Sequence, residues 1–272
     1  MKNRVKLMEF LQKKHPIWGY TPKGISDPTL SIELSKLNAV GLVDFEGLTE
    51  TQSKNIIRKC LTELDSSKLW GVRVINEKQL IWLEEFDFIP IVVIAFEVKE
   101  STLSTLTTDC ELLVAEVCDF EQAREKSSWA DLFIVKGFES GGIIKEKSSF
   151  ILLQQFNESG FPFLIQGGYG VYNVISAFVG GALGVVMDGQ FYLLPECPLS
   201  NEVKDYISTL EENDTYIIGE SSEYKYRLIG KIANQAIRNA KDIEKNSPVA
   251  EDSSKLFDII ENIQADSTFF ND

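Results

Sequence analysis

The residues with the clearest potential for chemistry lie near the middle of the chain, where an apolar run ends in a lysine and a glycine-rich loop follows. This stretch, DLFIVKGFESGG, begins at Asp131 and precedes an amphipathic pattern typical of a helix. A strand, a glycine loop and a helix in this order can hold a ligand against the backbone, because glycine has no side chain to keep it away. We therefore expect a binding loop here, with Lys136 and Glu139 as candidate catalytic residues.

Two further glycine-rich loops follow later apolar runs. They are QGGYG, from Gln166 to Gly170, and MDGQF, from Met187 to Phe191. Free N–H groups in such loops, together with the positive end of a helix starting near Val171, favour an anion. The sequence therefore predicts phosphate binding by Gly168, Gly170, Gly189 and Gln190. The alternative is that these glycines only make tight turns.

Other charged residues also stand where apolar runs end. They are Asp44, Arg73, Glu97 and Asp119, in addition to Lys136 and Glu139. Each is a candidate for catalysis or binding, and the alternative is an ion-pair network around a common mouth. His15 is the only histidine. It precedes the first apolar run, so we expect a structural or exposed residue and exclude a Ser-His-Asp triad.

The elements that must position these residues are short, continuous apolar runs with helical patterns between them. Eight such runs start at Pro16, Ala39, Leu69, Ile89, Glu111, Asp131, Phe161 and Ala182. Continuous apolar runs are typical of parallel strands that are buried on both faces. Eight strand–helix units predict a (β/α)8 TIM barrel, and a doubly wound open sheet is the second candidate.

Local signals place the helix starts. Asp27 followed by Pro28 predicts an N-terminus, with Leu30, Leu34 and Leu37 as the apolar stripe of that helix. Thr49 and Gln52 predict a capping box for the next helix.

The character of the chain changes after the eighth run. Residues 201–272 contain a helical pattern, a hairpin pattern around Gly219–Ser222, a second helical pattern and an apolar tail. We predict a barrel domain over residues 1–200 and a C-terminal helix–hairpin–helix extension over residues 201–272. The apolar tail suggests a linker toward further domains.

Composition narrows the class of protein. The net charge of −14 argues against nucleic-acid binding, which needs basic patches. The stretch from Ser159 to Met187 has no charge, but its glycines and Pro162 favour two strands flanking a helix over a membrane span. The four cysteines show no zinc spacing, so we expect reduced thiols, no metal site and a cytoplasmic location. The N-terminus has no apolar signal-peptide core.

With these residues in view, the chain resembles the nitronate monooxygenase family, which includes flavin-dependent enoyl-ACP reductases. The segments that carry the resemblance are VKGFESGG, beginning at Val135, and the stretch from Phe161 to Cys197. The likeness is also to the barrel domains of polyketide and polyunsaturated-fatty-acid-type synthases, which carry similar ESGG, QGG and VVDG segments in this order. The resemblance implies a TIM barrel that binds FMN.

The resemblance assigns cofactor-binding roles to the three glycine loops. These positions are Gly137, Gly141, Gly142, Gln166, Gly167, Gly168, Gly170, Gly189 and Gln190. It also implies acyl carrier protein or other synthase domains as partners, in polyketide or fatty-acid biosynthesis.

Three departures from the family pattern bear on function. Ile143 stands where active relatives have an acid/base histidine, Arg73 where they have an asparagine, and Asp188 begins the segment that replaces a Gly-Thr pair. Losing a positioned acid/base costs on the order of 10²–10⁴ in rate. The sequence therefore leaves three functions open: an FMN-dependent oxidoreductase using Lys136 or Glu139, a non-catalytic docking or scaffold barrel, and a lyase with Lys136 as a Schiff-base lysine.

Overall fold

The fold is a closed parallel β-barrel surrounded by helices. The computed structural model describes residues 15–96, 98–211, 213–220, 223–231 and 235–246. The barrel strands follow the order β1, β2, β3, β4, β5, β6, β8, β9, and β9 pairs back with β1. They are β1 (Ile17–Tyr20), β2 (Val40–Asp44), β3 (Trp70–Val74), β4 (Ile91–Ile94), β5 (Leu112–Val117), β6 (Leu132–Lys136), β8 (Phe163–Gln166) and β9 (Gly184–Met187). The predicted TIM barrel is confirmed, each of the eight apolar runs contains one strand, and the open sheet is excluded.

Helices connect most of these strands. The helices are α1 (Thr29–Lys36), α2 (Glu50–Glu63), α3 (Glu77–Leu83), α4 (Phe120–Lys126), α5 (Ser149–Asn157), α6 (Val174–Val179), α7 (Asn201–Ser208) and α8 (Gln235–Asn246). Short 3-10 turns follow β4 and β9, at Glu100–Thr105 and Gly189–Phe191. The uncharged stretch from Ser159 to Met187 forms β8, α6 and β9, as predicted. None of the described helices is long and apolar enough to cross a membrane.

Apolar side chains fill both the inside of the barrel and the layer between strands and helices. Trp18, Leu42, Val93 and Ile134 belong to the cluster inside the barrel, and all four are fully buried. Two further clusters lie on the outer face of the strands, where the helices pack. Each barrel strand is buried almost throughout, which explains why the sequence shows continuous apolar runs.

The predicted start is confirmed for α2 and is one residue too early for α1. The Thr49 side chain accepts the Gln52 N–H and the Gln52 side chain accepts the Thr49 N–H, so the capping box is confirmed. Helix α1 begins at Thr29 with Pro28 at the N-cap position, and Asp27 Oδ1 accepts the Thr29 N–H at 3.0 Å. The predicted stripe on α1 is wrong at one position, because Leu37 lies just past the helix end and is 78% exposed.

The C-terminal extension attaches to the barrel through a second sheet. A short strand after the glycine loop, β7 (Gly142–Ile144), pairs with β11 (Lys225–Ile229), which pairs with β10 (Thr215–Ile218). All three are antiparallel to their neighbours, with Tyr226 opposite Ile143. The predicted hairpin and its flanking helices are confirmed for the described residues. Glu97, the turn residues 221–222, and the polar linker and apolar tail within residues 247–272 lie outside the described ranges.

All four cysteines are free thiols, as expected. Cys60, Cys118 and Cys197 are buried, and Cys110 is partly buried. Burial raises the pKa of the Cys60 thiol to about 12, which makes it a poor nucleophile at neutral pH.

The close contact of α1 with β2 generates the first prediction. A Cβ added to Gly41 would lie 2.0 Å from the backbone oxygen of Ser31, and backbone cannot move aside as a side chain can. We expect Gly41→Ala to lower the free energy of unfolding by about 1–3 kcal/mol in urea denaturation. Gly170→Ala is the matched control, since a Cβ at Gly170 meets nothing within 4 Å. Equal stability of the two variants would contradict the packing described for α1.

Candidate functional site

A buried arginine lies at the centre of the barrel mouth, where the carboxyl ends of the strands meet. Arg73 is 2% exposed and extends from β3. Its Nε and Nη2 donate to the two carboxylate oxygens of Glu116 at 2.9 and 3.0 Å. Its Nη1 donates to Asp44 Oδ1 at 3.1 Å and to Glu46 Oε2 at 3.0 Å. We call Arg73, Asp44, Glu46 and Glu116 the mouth cluster.

The strand register brings this cluster together. Asp44 and Arg73 are register partners on β2 and β3, so their side chains leave the sheet side by side. Glu116 reaches the same layer from β5 and is fully buried. The Tyr20 hydroxyl donates to Glu116 Oε1 at 3.1 Å. A buried charge is tolerated only when it is paired and hydrogen-bonded, and each member of the mouth cluster meets that requirement.

The charges of the cluster hold two carboxylates in the ionised form. Burial alone would raise the pKa of Glu116, but Arg73 and Lys136 outweigh it and lower that pKa to about 2. Burial would also raise the pKa of Glu46, but Lys23 and Arg73 outweigh burial and lower that pKa to about 2. Both groups therefore remain negative at any physiological pH.

The C-terminal hairpin covers the mouth cluster. The Tyr226 hydroxyl, on β11, donates to Glu46 Oε1 at 2.8 Å. Lys23 pairs with Glu46 at 2.7 Å and also donates to the Tyr226 hydroxyl at 3.1 Å. A residue from the far end of the chain is thus bonded to the loop after β2, which fixes the extension over the barrel.

A cavity of about 260 Å³ remains between the strand ends and this cover. On the barrel side, inward-facing polar side chains line it: Tyr20, Asp44, Arg73, Glu116, Lys136, Gln166 and Asp188. On the side of the extension, residues of α7 and β11 line it: Val203, Ile207, Tyr226 and Leu228.

The two candidate catalytic residues do not share this cavity. Lys136 lines it and is 3% exposed. Glu139 is exposed, does not line it, and accepts the Ser149 N–H at 2.8 Å at the start of α5. The loop after β6 turns so that only the lysine faces the barrel mouth.

The candidate cofactor-binding residues divide in the same way. Gly141, Gly142, Gln166 and Gly189 line the cavity, whereas the other five do not: Gly137, Gly167, Gly168, Gly170 and Gln190. We expected Gly137 and Gly168 to line the cavity with Gly189, and packing explains why they do not. A Cβ at Gly137 would lie 2.3 Å from the Ser149 nitrogen, and one at Gly168 would lie 3.7 Å from Glu139 Cβ.

The loops expected to hold a phosphate bond to themselves instead. Gln190 Nε2 donates to the Tyr169 carbonyl at 2.7 Å, which ties the loop after β9 to the loop after β8. Asn173 Oδ1 accepts the Gly170 N–H at 2.7 Å. Helix α6 begins at Val174, so the expectation of a helix starting near Val171 is wrong.

Asp188 places a carboxylate beside these loops. It accepts from Gln166 Nε2 and from the Gly141 N–H, and burial raises its pKa. The partners satisfy the carboxylate but leave its charge at the edge of the cavity. A phosphate dianion close by would be repelled.

The remaining polar candidates have structural partners. Asp119 caps α4 and pairs with Lys145 at 2.8 Å, outside the cavity at the barrel mouth. His15 is buried at the opposite end, with Nδ1 2.8 Å from the Asn38 carbonyl oxygen. The ion-pair network considered for the mouth is confirmed for Asp44 and Arg73.

Four residues of the site had not been predicted as functional: Lys23, Glu46, Glu116 and Tyr226. Only Glu116 had a local signal, as a lone acidic residue inside an apolar run. The importance of the others depends on contacts between segments far apart in the chain.

These observations test whether FMN fits. Cofactor pockets usually enclose about 300 Å³ or more, whereas this cavity of about 260 Å³ is smaller and contains charged side chains from four strands. The predicted phosphate loops lie largely outside it. Two of their donors, the Gly170 N–H and the Gln190 amide, are already used within the loops. The described residues do not fit FMN.

Comparison with known proteins agrees with the architecture. The model of a family described as nitronate monooxygenase matches residues 46–263. No curated protein matches the sequence.

Solved structures share the fold at low sequence identity. FabK from Thermotoga maritima has a TM-score of 0.74 and 21% identity, covering 90% of this chain and 79% of that one. The enoyl reductase domain of MlnA from the macrolactin biosynthesis cluster of Bacillus amyloliquefaciens has a TM-score of 0.70 and 14% identity, covering 96% of this chain and 82% of that one. Nitroalkane oxidase from Streptomyces ansochromogenes has a TM-score of 0.69 and 16% identity, covering 95% of this chain and 88% of that one.

The mouth cluster generates a prediction about stability and pH. Arg73→Met leaves three buried carboxylates without their shared cation, so we expect a loss of about 3–5 kcal/mol in unfolding free energy at pH 7. Glu46 and Glu116 have folded pKa values of about 2, below their usual 4.5. The stability that their ionised forms contribute to the folded state is therefore present above pH 4.5 and is lost as the pH falls toward 2. The deficit of the variant should shrink across that window.

Urea denaturation at several pH values measures this effect. Arg58→Met is the matched control, because Arg58 pairs with Glu85 on the surface and should contribute little. A deficit that is small at pH 7, or that grows on acidification, would show that Arg73 does not hold the cluster.

Proposed function

The chain belongs to the nitronate monooxygenase family, and from that premise we propose that it is a barrel unit of a polyketide- or fatty-acid-type biosynthetic system that acts by docking, without flavin turnover. The observation that carries this proposal is the mouth cluster beneath the C-terminal hairpin. In this family fold the mouth is where a cofactor would have to bind. Here an arginine, three carboxylates and Tyr226 occupy it.

The position of the family histidine supports the same conclusion. Ile143 is 4% exposed and lies in β7 opposite Tyr226. It packs into the small sheet and has no proton to give or take. A reaction that needs an acid/base at this position would lose on the order of 10²–10⁴ in rate.

The biosynthetic context comes from the resemblance to synthase barrels and is supported by one neighbour. The MlnA structure is of an enoyl reductase domain from a macrolactin biosynthesis cluster. We propose acyl carrier protein or other synthase domains as the partners of this chain.

An exposed apolar surface offers a place for such a partner. Val171, Tyr172, Ile175 and Val179, in and before α6, are each at least 70% exposed. Exposed apolar groups close together commonly mark protein contacts.

The second candidate is an FMN-dependent oxidoreductase. It is favoured by Lys136, which stands at the end of β6 inside the cavity. FMN would supply hydride and electron chemistry, and Lys136 would be the group placed to exchange a proton. Glu139 is too exposed to share that role.

An absorption spectrum separates these two candidates. We expect the purified protein to show no absorption near ~450 nm, where flavins absorb. We expect an equimolar amount of added FMN to keep the fluorescence of free FMN, because the cavity at the mouth is smaller than a cofactor pocket. Ile143→His, which restores the family histidine, should not change this result. Stoichiometric FMN uptake, or reduction of an enoyl thioester by the purified protein, would refute the proposal in favour of the oxidoreductase.

A binding measurement tests the docking half of the proposal. We expect an immobilised acyl carrier protein with its pantetheine arm to bind the chain in biolayer interferometry. The double substitution Tyr172→Glu with Ile175→Glu should weaken that binding on the order of tenfold, since it places charge in an apolar contact. Leu37→Glu is the control, because Leu37 is equally exposed but lies at the opposite end of the barrel. Equal weakening by both variants, or no binding at all, would contradict docking at α6.

A further inference from the structure

The cavity is lined by a lysine whose ammonium makes no hydrogen bond or ion pair with another residue in the described part of the chain. Lys136 is 3% exposed, and its ammonium has neither a hydrogen bond nor an ion pair within the described ranges. Glu116 and Asp188 act on it only through their electric fields. An ammonium has three N–H donors and no acceptor, so a molecule bound in the cavity can accept a hydrogen bond from Lys136.

A buried acceptor without a donor stands beside it. Gln166 is the register partner of Lys136 on the adjacent strand β8, and it is 2% exposed. Its amide nitrogen donates to Asp188, whereas its Oε1 meets no donor in the part of the chain that the structure describes. Lys136 and Gln166 thus present an unused donor and an unused acceptor at the same edge of the cavity.

A third group faces the same space. Tyr192 lines the cavity, and its hydroxyl has no hydrogen-bond partner among the described residues. Burial and the neighbouring Asp188 raise the pKa of this phenol, so it stays protonated and remains a donor.

Carboxylates outnumber cations among the side chains that meet at the cavity. Four carboxylates line it, Asp44, Glu46, Glu116 and Asp188, together with the cations Lys23, Arg73 and Lys136. Arg227 also belongs to the lining, but its guanidinium donates to the Phe138 carbonyl and to Thr215. A bound carboxylate or phosphate would add to this excess of buried negative charge, so the lining favours an uncharged ligand with polar groups.

The volume limits the size of that ligand. At about 30 Å³ for each water molecule, a cavity of about 260 Å³ holds eight to nine waters. A molecule with three to six carbons and their oxygens occupies a comparable space.

We propose that this cavity binds a small uncharged hydroxyaldehyde or hydroxyketone, whose carbonyl oxygen accepts from Lys136 and whose hydroxyl donates to Gln166. A second hydroxyl accepts from Tyr192. Binding is non-covalent and needs no flavin. This site is separate from the docking surface proposed at α6, so failure of one proposal does not affect the other.

Isothermal titration of the full chain with dihydroxyacetone tests the proposal. Dihydroxyacetone has a ketone flanked by hydroxyls and no charge. We expect saturable binding, weakened on the order of tenfold or more by Lys136→Met, because a hydrogen bond from a charged donor is lost. Lys147→Met is the control and should bind as the unmodified chain does, since Lys147 is exposed outside the cavity.

A second comparison uses only the unmodified chain, in case Lys136→Met does not fold. D-Glycerate has the same number of carbons as dihydroxyacetone but carries a carboxylate. We expect it to bind at least on the order of tenfold more weakly, because its charge is not balanced in the cavity. The proposal is overturned if dihydroxyacetone does not bind, if glycerate binds as tightly, or if folded Lys136→Met binds without loss.

Discussion

The buried charge of Arg73 is the constraint on which the rest of the site depends. A guanidinium group does not lose its proton in a protein, so an arginine that is 2% exposed must be surrounded by acceptors. Glu116 supplies two oxygens, and Asp44 and Glu46 supply the others. These acids come from β5, from β2 and from the loop after β2, so one side chain sets the arrangement of a large part of the barrel mouth.

The requirement extends beyond the barrel. Glu46, once buried beside Arg73, also accepts from Lys23 and Tyr226. Tyr226 belongs to β11, which pairs with β7, and this pairing places the hairpin over the strand ends. The same interactions that satisfy the buried charge therefore cover the mouth and leave a cavity of about 260 Å³ beneath the hairpin. The barrel keeps the family fold, whereas the phosphate loops that the resemblance implies lie largely outside this cavity.

Local sequence signals predicted the barrel and much of its detail, because those signals act within a few residues. Continuous apolar runs located all eight strands, and Thr49 with Gln52 located the start of α2. The family resemblance also predicted the order of the glycine loops along the chain. The orientation of those loops was not predictable, since it depends on tertiary packing: Ser149 packs against Gly137 and Glu139 lies beside Gly168. The bond between Tyr226 and Glu46 joins residues 180 positions apart, a separation for which no periodicity gives a signal.

A crystal structure from crystals grown with excess FMN tests the central claim most directly, because it shows what occupies the barrel mouth. The account predicts Arg73 bound to both oxygens of Glu116, the Tyr226 hydroxyl within hydrogen-bonding distance of Glu46, and no flavin above the strand ends. Density for a flavin ring over β3 and β5, with the hairpin displaced and Tyr226 withdrawn from Glu46, would contradict it.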